Sequence, residues 1–478
     1  MTVPARSKAV SAPPFLVNAV LEALQRSSYS HLTSVVPAEA DAFCAEAARH
    51  RNATIFTSDS DLLVHDLGES GKVMLFRDME AIHVANKGLV IKTSEYHPAR
   101  IASRLELPSL VKLAYLMTED VHRSFTDSIG LARTQIPSGP EYLDFERLYG
   151  ALISHSPLLA SASDLSHDAG ALLSALDPRT SEIVHQLHLP PSNSIAKVSR
   201  SIDGYLPFIH DDPTKTSAWR AGASIRQISY SILHLLDPTI TTICEHERKG
   251  TRIGTTDITI QEADSLATSI QDLISRMSSL FHQHTSLSPE TAWRILSAEI
   301  IYEHSYQNSK PLPRITEMVP LILNERETSL TWTLIHSTAQ LHGLLYSFRM
   351  LKQILELTLS LLPDIQSQDQ HLVSKETEGI IDLLPSLKHT MASLPNLCDM
   401  LEPILEDEIR DETRNTVWES LARYEPQRED EGTLETKGKR KKKKRKKDGD
   451  IDGGRSTRGV GQTYHGTNNA FAALADDV

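Results

Sequence analysis

Residues 36–42, VPAEADA, and 54–63, TIFTSDSDLL, decide the fold of the first part of the chain. The second stretch begins with a short β-rich run that leads directly into Asp59 and Asp61. In the first stretch, Pro37 precedes an alanine-rich segment that favours a helix. The surrounding sequence predicts a helix at 15–24 and strands at 73–76, 81–84 and 89–92. This alternation is typical of an α/β domain.

Two pairs of carboxylates belong to these stretches. Asp59 and Asp61 stand at positions i and i+2 after the strand, and such positions of an extended chain point to the same side. Ligands of α/β folds bind at the carboxyl ends of strands, and Mg²⁺ prefers one or two carboxylates with water and phosphate oxygens. Glu39 and Asp41 begin the helix, and both reach one site if Glu39 lies in the entry turn. Four such carboxylates suit a two-metal site that cleaves phosphodiesters.

Each pair of carboxylates, considered alone, is better explained by a structural role than by metal binding. Acidic residues at a helix N-terminus complement the helix dipole, and Asp-x-Asp is common in loops. The ordered combination of strand, proline, Glu-x-Asp helix, strand and Asp-x-Asp favours the metal site.

The same residues resemble the internal region of the XPG and flap endonuclease superfamily of PIN-like nucleases. Glu39-Ala-Asp41, followed by Asp59-x-Asp61-Leu-Leu-Val-His-Asp-Leu-Gly68, is most similar to its asteroid-type branch. The resemblance implies a metal-dependent nuclease that uses Mg²⁺ or Mn²⁺ and cleaves nucleic acid, with DNA and RNA both open as substrate. It also implies that Glu39, Asp41, Asp59 and Asp61 are metal ligands and catalytic residues.

A further candidate ligand lies at the end of residues 110–120, LVKLAYLMTED. This segment resembles the family helix that ends in another metal-binding aspartate, which makes Asp120 a fifth candidate. The family's first strand carries one more such aspartate, whereas the first aspartate of this chain is Asp41. The chain therefore looks like a member without the N-terminal XPG region, for which impaired catalysis is expected. The alternative function is a non-catalytic nucleic-acid-binding or helical scaffold protein.

The predicted fold class is α/β plus all-α: a partial PIN/XPG-like α/β domain, a large helical region and a disordered basic tail. The predicted ranges are a flexible N-terminus at 1–13, the α/β domain at 14–130, the helical region at 140–424 and the tail at 425–478. The helical region is also the predicted surface for protein partners.

Three local patterns in the helical region give specific expectations. Thr259-Ile-Gln-Glu262 fits a capping box that opens an apolar helical run, formed by Leu266, Ile270, Leu273, Met277 and Leu280. A second stripe, from Leu341 to Leu362, is expected to end at Pro363. Residues 248–256 are predicted to be a connector.

The charge of the chain is unevenly distributed. The formal net charge of the 478 residues is −13, yet the segment 437–447 holds ten basic residues. Removing those ten from the 49 basic residues leaves 39 against 62 acidic ones, a net charge of −23. The run predicts a nuclear-localisation signal, and the alternative is a role in contacting phosphates of nucleic acid. The expected location is therefore the nucleus, and otherwise the cytoplasm. Its residues are Lys439, Arg440, Lys441, Lys442, Lys443, Lys444, Arg445, Lys446 and Lys447.

Cysteines and apolar runs exclude two classes of protein. Cys44, Cys244 and Cys398 are far apart, which suits a reducing compartment and excludes a cysteine-based zinc module. No apolar run of about 18 residues occurs, so no membrane association is expected.

Overall fold

The computed structural model describes eleven segments of the chain, namely 14–36, 40–84, 86–120, 122–135, 137–150, 167–188, 199–283, 287–323, 331–368, 375–400 and 407–424. They form two compact units. The small unit lies between residues 40 and 150, and the large unit combines 14–36 with 167–424. Helix α1 (Leu16–Arg26) opens the described chain and belongs to the large unit. The predicted N-terminus 1–13 and tail 425–478 lie outside the described residues.

The small unit is an α/β domain with two two-stranded sheets. Strand β1 (Thr54–Thr57) pairs in parallel with β2 (Lys72–Leu75), and β3 (Glu80–Val84) pairs antiparallel with β4 (Gly88–Lys92). The strands predicted at 73–76, 81–84 and 89–92 are thus confirmed to within one residue. Its helices are α2 (Ala40–Arg51), α3 (Pro98–Arg104), α4 (Val111–Glu119), α5 (Phe125–Thr134) and α6 (Pro140–Gly150).

The core of the small unit fixes the loop that follows β1. Leu62 and Leu63 are 1% and 0% exposed, and they pack with Val73 and Leu75 of β2 and with Leu113 of α4. Burying a leucine side chain stabilises a fold by about 1.5–3 kcal/mol. The two leucines therefore hold the chain just after Asp61 firmly in the core.

The large unit contains a three-stranded sheet within its helices. Strand β6 (Ile240–Lys249) lies in the middle, parallel to β5 (Arg200–Tyr205) and antiparallel to β7 (Arg252–Thr259). The helices that the structure describes here, after α1, are α7 (His167–Ala175), α8 (Pro178–Val184), α9 (Ala223–Leu233), α10 (Ala263–Gln283), α11 (Pro289–Gln307), α12 (Ile315–Ile322), α13 (Trp332–Gln368), α14 (Lys375–Met391), α15 (Leu397–Met400) and α16 (Asp407–Ala422). The predicted fold class, a mixed α/β domain followed by a large helical region, is confirmed.

Two local predictions fail at the β6–β7 hairpin. The predicted connector 248–256 consists mostly of hairpin strands, joined by a turn at Gly250 with φ +64. Thr259 is not a helix cap, because it is the last residue of β7 and pairs with Thr242 of β6. Helix α10 instead begins at Ala263, and all five apolar residues of the predicted run are buried along it.

Helix α13 also differs from its prediction, because it continues through Pro363 to Gln368. A proline inside a helix lacks the amide hydrogen that the helix would use, so it disfavours continuation without forbidding it. The stripe before Pro363 is buried in the core of the large unit. Within the described ranges, no helix is long and apolar enough to cross a membrane.

Helix α1 packs on the large unit through polar side chains. Asn18 donates a hydrogen bond to Asp177, and Glu22 pairs with Arg349 at 3.0 Å. Phe15, just before the helix, stacks on Tyr346 with ring centroids 5.1 Å apart. The structure thus places in the large unit a helix that the prediction grouped with the α/β domain at 14–130.

A buried ion pair joins the sheet to the helices of the large unit. The Arg226 guanidinium of α9 donates to both carboxylate oxygens of Glu245 on β6, at 2.5 and 2.8 Å, and neither side chain is exposed. Tyr230 donates to the same carboxylate at 2.8 Å. The remaining guanidinium nitrogen donates to the Trp219 carbonyl and to Ser347 Oγ of α13, both at 3.0 Å.

We expect Glu245→Gln to destabilise the large unit by about 3 kcal/mol, because removing one partner leaves a buried charge without its counter-ion. The measurement is the urea midpoint of unfolding, followed by circular dichroism. Glu378→Gln is the matched control, since Glu378 is exposed on α14. A midpoint for Glu245→Gln equal to that of the control would contradict the prediction.

Candidate functional site

The candidate site begins at the turn that follows β1. The Asp59 amide donates to Thr57 Oγ1 at 2.9 Å, and the Asp61 amide donates to Asp59 Oδ1 at 3.1 Å. Asp61 then begins a short 3-10 helix that ends at Leu63. The two aspartates are therefore neighbours because of an Asx turn, and not because they are in an extended chain as the sequence suggested. Ser60, between them, is in the right-handed helical region.

Helix α2 contributes a third carboxylate to this site. Asp41 lies in the first turn of α2, and its charge acts on the Asp61 carboxyl. The structure thus brings together two of the predicted ligands, Asp59 and Asp61, and places the charge of a third, Asp41, where it acts on Asp61. The fourth, Glu39, lies outside the described residues.

Burial and like charges make ionised Asp61 unfavourable. Partial burial, followed by the charges of Asp59 and Asp41, raises the pKa of Asp61 to about 6. Like charges repel, so the charges of Asp59 and Asp41 disfavour the ionised form of Asp61. The site therefore carries negative charge that a cation would neutralise.

Helix α6 packs beside these carboxylates. The Tyr149 hydroxyl donates to Asp61 Oδ2 at 3.4 Å, and the Tyr149 ring lies 5.0 Å from the His65 ring. Burial and the nearby carboxylates raise the pKa of Tyr149 above its ordinary value, so its hydroxyl remains a donor. Burial lowers the pKa of His65, against the opposing effect of Asp59, which favours a neutral ring.

Sequence reasoning missed Tyr149, although α6 carries a signal. Tyr142, Phe145 and Tyr149 recur at the i, i+3 and i+7 spacing of one helix face, which indicates a face that packs against other side chains. That spacing does not show which earlier residue of the chain Tyr149 contacts.

Asp120 has local contacts at the end of α4. Its Oδ1 accepts a hydrogen bond from the His122 amide at 3.0 Å, and its Oδ2 lies 3.9 Å from an Arg123 nitrogen. These contacts suit a residue that ends a helix, and its role as a fifth ligand stays a prediction.

The acidic site fits a hydrated cation better than a closed protein cage. Among the described residues, which exclude Glu39, no three His, Cys, Asp or Glu side chains are arranged to hold a metal ion. Mg²⁺, however, takes one or two carboxylates and keeps several waters. The donor chemistry of Asp59 and Asp61, two adjacent carboxyl groups in one turn, suits such an ion.

A cavity of about 650 Å³ lies in the same unit. Its walls are the loop from Leu63 to Gly68, helix α3 and the start of α4, with Glu146 of α6 at one side. His65 lines this cavity and also contacts Tyr149, so the cavity shares a side chain with the surroundings of the acidic site.

The raised pKa of Asp61 predicts a pH-dependent effect of Asp61→Asn without metal. Because the folded pKa lies above the ordinary value of 3.8, wild-type stability due to this group falls as pH rises from about 4 through 6. Asp61→Asn is expected to raise Tm by about 2 °C above pH 6, after allowance for solvent screening. This advantage should vanish near pH 4.

Thermal unfolding in EDTA across that pH range measures the difference. Asp144→Asn is the control, because Asp144 is 72% exposed and pairs at 3.1 Å with Arg147, which is itself 75% exposed. A difference in Tm between the wild type and Asp61→Asn that does not change with pH would contradict the raised pKa of Asp61.

Comparison with known families agrees with this architecture. A family model described as "XPG domain containing" matches residues 12–260, about half of the chain. The match covers α1, the whole small unit and the β5–β7 sheet, and so extends well beyond the motifs at 39–68. Neither the curated proteins nor the solved structures contain a match. The chain belongs to the family of XPG domain-containing proteins.

Proposed function

We propose that this chain is an asteroid-type, metal-dependent nuclease that cleaves phosphodiester bonds in nucleic acid. The observation that carries the proposal is the pair Asp59 and Asp61, joined by an Asx turn directly after β1, with the charge of Asp41 on α2 acting on Asp61. Membership of the XPG domain-containing family supports a nuclease-like ancestry and a nucleic-acid partner.

The proposed roles follow from position and charge. Asp59 and Asp61 would hold Mg²⁺ or Mn²⁺, with Asp41 supplying a further carboxylate from α2. When bound, such ions activate water and stabilise the leaving oxygen of a phosphodiester. Leu62 and Leu63 keep the turn rigid, because both are buried in the core immediately after Asp61. Glu39 and Asp120 remain candidate ligands on the resemblance alone.

The test is cleavage of single-stranded, flap and duplex DNA, and of single-stranded RNA, by the full chain with Mg²⁺ or Mn²⁺. The double variant Asp59→Asn with Asp61→Asn is expected to lose at least about 100-fold in rate, because metal stabilisation of a transition state is worth several kcal/mol. Asp144→Asn, exposed on α6, is the matched control and should cleave like the wild type.

Two outcomes would contradict the proposal. Cleavage that survives the double substitution would remove the assigned site. Nucleic-acid binding by the wild type with no cleavage of any substrate would favour the alternative, a non-catalytic binding or scaffold protein. The lack of three arranged metal-binding side chains among the described residues is the observation that favours that alternative.

We also propose that the basic run Lys439–Lys447 directs the protein to the nucleus. The run lies outside the described residues, and its composition alone supports the proposal. A phosphate-contacting role would draw on the same charges, but it would make nucleic-acid binding depend strongly on salt.

Replacing all nine basic residues of 439–447 by glutamine is expected to abolish nuclear accumulation of a fluorescent fusion while the cleavage rate stays unchanged. The control replaces Asp448, Asp450 and Asp452 by asparagine in the adjacent segment. Unchanged nuclear accumulation, with weaker nucleic-acid binding and a shallower salt dependence, would instead assign the run to phosphate contact.

A further inference from the structure

Helix α6 reaches the acidic site through a row of aromatic contacts. Tyr142 and Phe145 contact Tyr115 of α4, with ring centroids 5.1 and 5.5 Å apart. Phe145 contacts Tyr149 at 4.7 Å, and Tyr149 contacts His65 at 5.0 Å. The row of rings therefore runs from Tyr115 of α4 to His65, in the loop that follows Asp61.

These contacts fix the position of one hydroxyl group. The Tyr149 ring is held between Phe145 and His65, and a tyrosine ring has few rotatable bonds, so its hydroxyl has a defined place. That hydroxyl is 3.4 Å from Asp61 Oδ2. The Asp61 backbone is fixed independently, because its amide donates to Asp59 and the buried Leu62 follows it.

We propose that Tyr149 is a positioning residue that orients the Asp61 carboxylate for cation binding. Its hydroxyl donates to Oδ2 and thereby restrains the rotation of the carboxylate. Carboxylates that bind metals are commonly held by such donors, and loss of the donor costs about 10–100-fold in metal affinity or activity. This inference rests on the proposed metal-dependent function, and it extends the site to a residue 88 positions after Asp61.

The contrast between Tyr149 and Tyr142 provides a matched pair of variants. Tyr142 lies on the same helix face, but its hydroxyl donates to Glu146 at 3.2 Å. Tyr149→Phe and Tyr142→Phe each remove one hydroxyl and leave the ring contacts intact. Their thermal unfolding should therefore remain close to that of the wild type, which checks that both variants fold.

The first measurement is the affinity of the full chain for Mn²⁺ alone, followed by electron paramagnetic resonance. Tyr149→Phe is expected to weaken binding about 10-fold, while Tyr142→Phe leaves it unchanged. In an Asp61→Asn background the Tyr149→Phe change should have no further effect, because the hydroxyl acts through that carboxylate. A purely structural role would weaken binding equally in both backgrounds.

The second measurement needs no metal: the carboxyl carbon signal of Asp61 at about pH 8, where the group is ionised. It should shift in Tyr149→Phe and not in Tyr142→Phe. Wild-type Mn²⁺ affinity in Tyr149→Phe, whether or not the signal moves, overturns the positioning role and leaves the proposed function standing. Absence of Mn²⁺ binding by the wild type overturns the proposed function itself, and the positioning role with it.

Discussion

The large unit depends on one buried ion pair, between Arg226 and Glu245. A charge without a partner in a protein interior costs several kcal/mol, so every group that satisfies this pair is held in place by it. Tyr230, the Trp219 carbonyl and Ser347 provide the remaining hydrogen bonds, and they come from three different parts of the chain. The pair thereby sets the position of the sheet relative to α9 and α13 more specifically than apolar contacts would.

The same principle explains why α1 belongs to the large unit. Its inward side chains include Asn18 and Glu22, which meet Asp177 and Arg349, while Val17 and Val20 are exposed. Hydrophobic periodicity assumes that a helix packs through its apolar face. It detects α1 as a helix, but it cannot show that Asn18 and Glu22 lie on the packing face or which distant residues pair with them.

Hydrophobic periodicity also explains which helices and strands could be predicted from the sequence and which could not. The five apolar residues of the predicted run in α10 repeat at helical spacing and are buried, because nothing competes with that pattern. In strand β6 buried and partly buried positions alternate, but charged residues occupy both. Glu245 and Glu247 are buried, whereas His246 and Arg248 are only partly buried. The alternation is therefore not visible in the sequence as a pattern of apolar and polar residues. Only the partners, Arg226 among them, make the buried glutamates acceptable, and no local pattern identifies such partners.

The sequence predicted that Asp59 and Asp61 lie close together, and the structure places them in one Asx turn, whereas their role as metal ligands stays a prediction. The sequence does not show that ionisation of the Asp61 carboxyl is disfavoured. That effect depends on burial by its surroundings and on the charges of Asp59 and Asp41, which the fold holds near each other against their repulsion. A cation bound as proposed would regain the free energy with which these charges oppose folding. Stability of the small unit and the proposed ion binding would then be linked, so that a substitution which removes one charge stabilises the metal-free unit and weakens the proposed site.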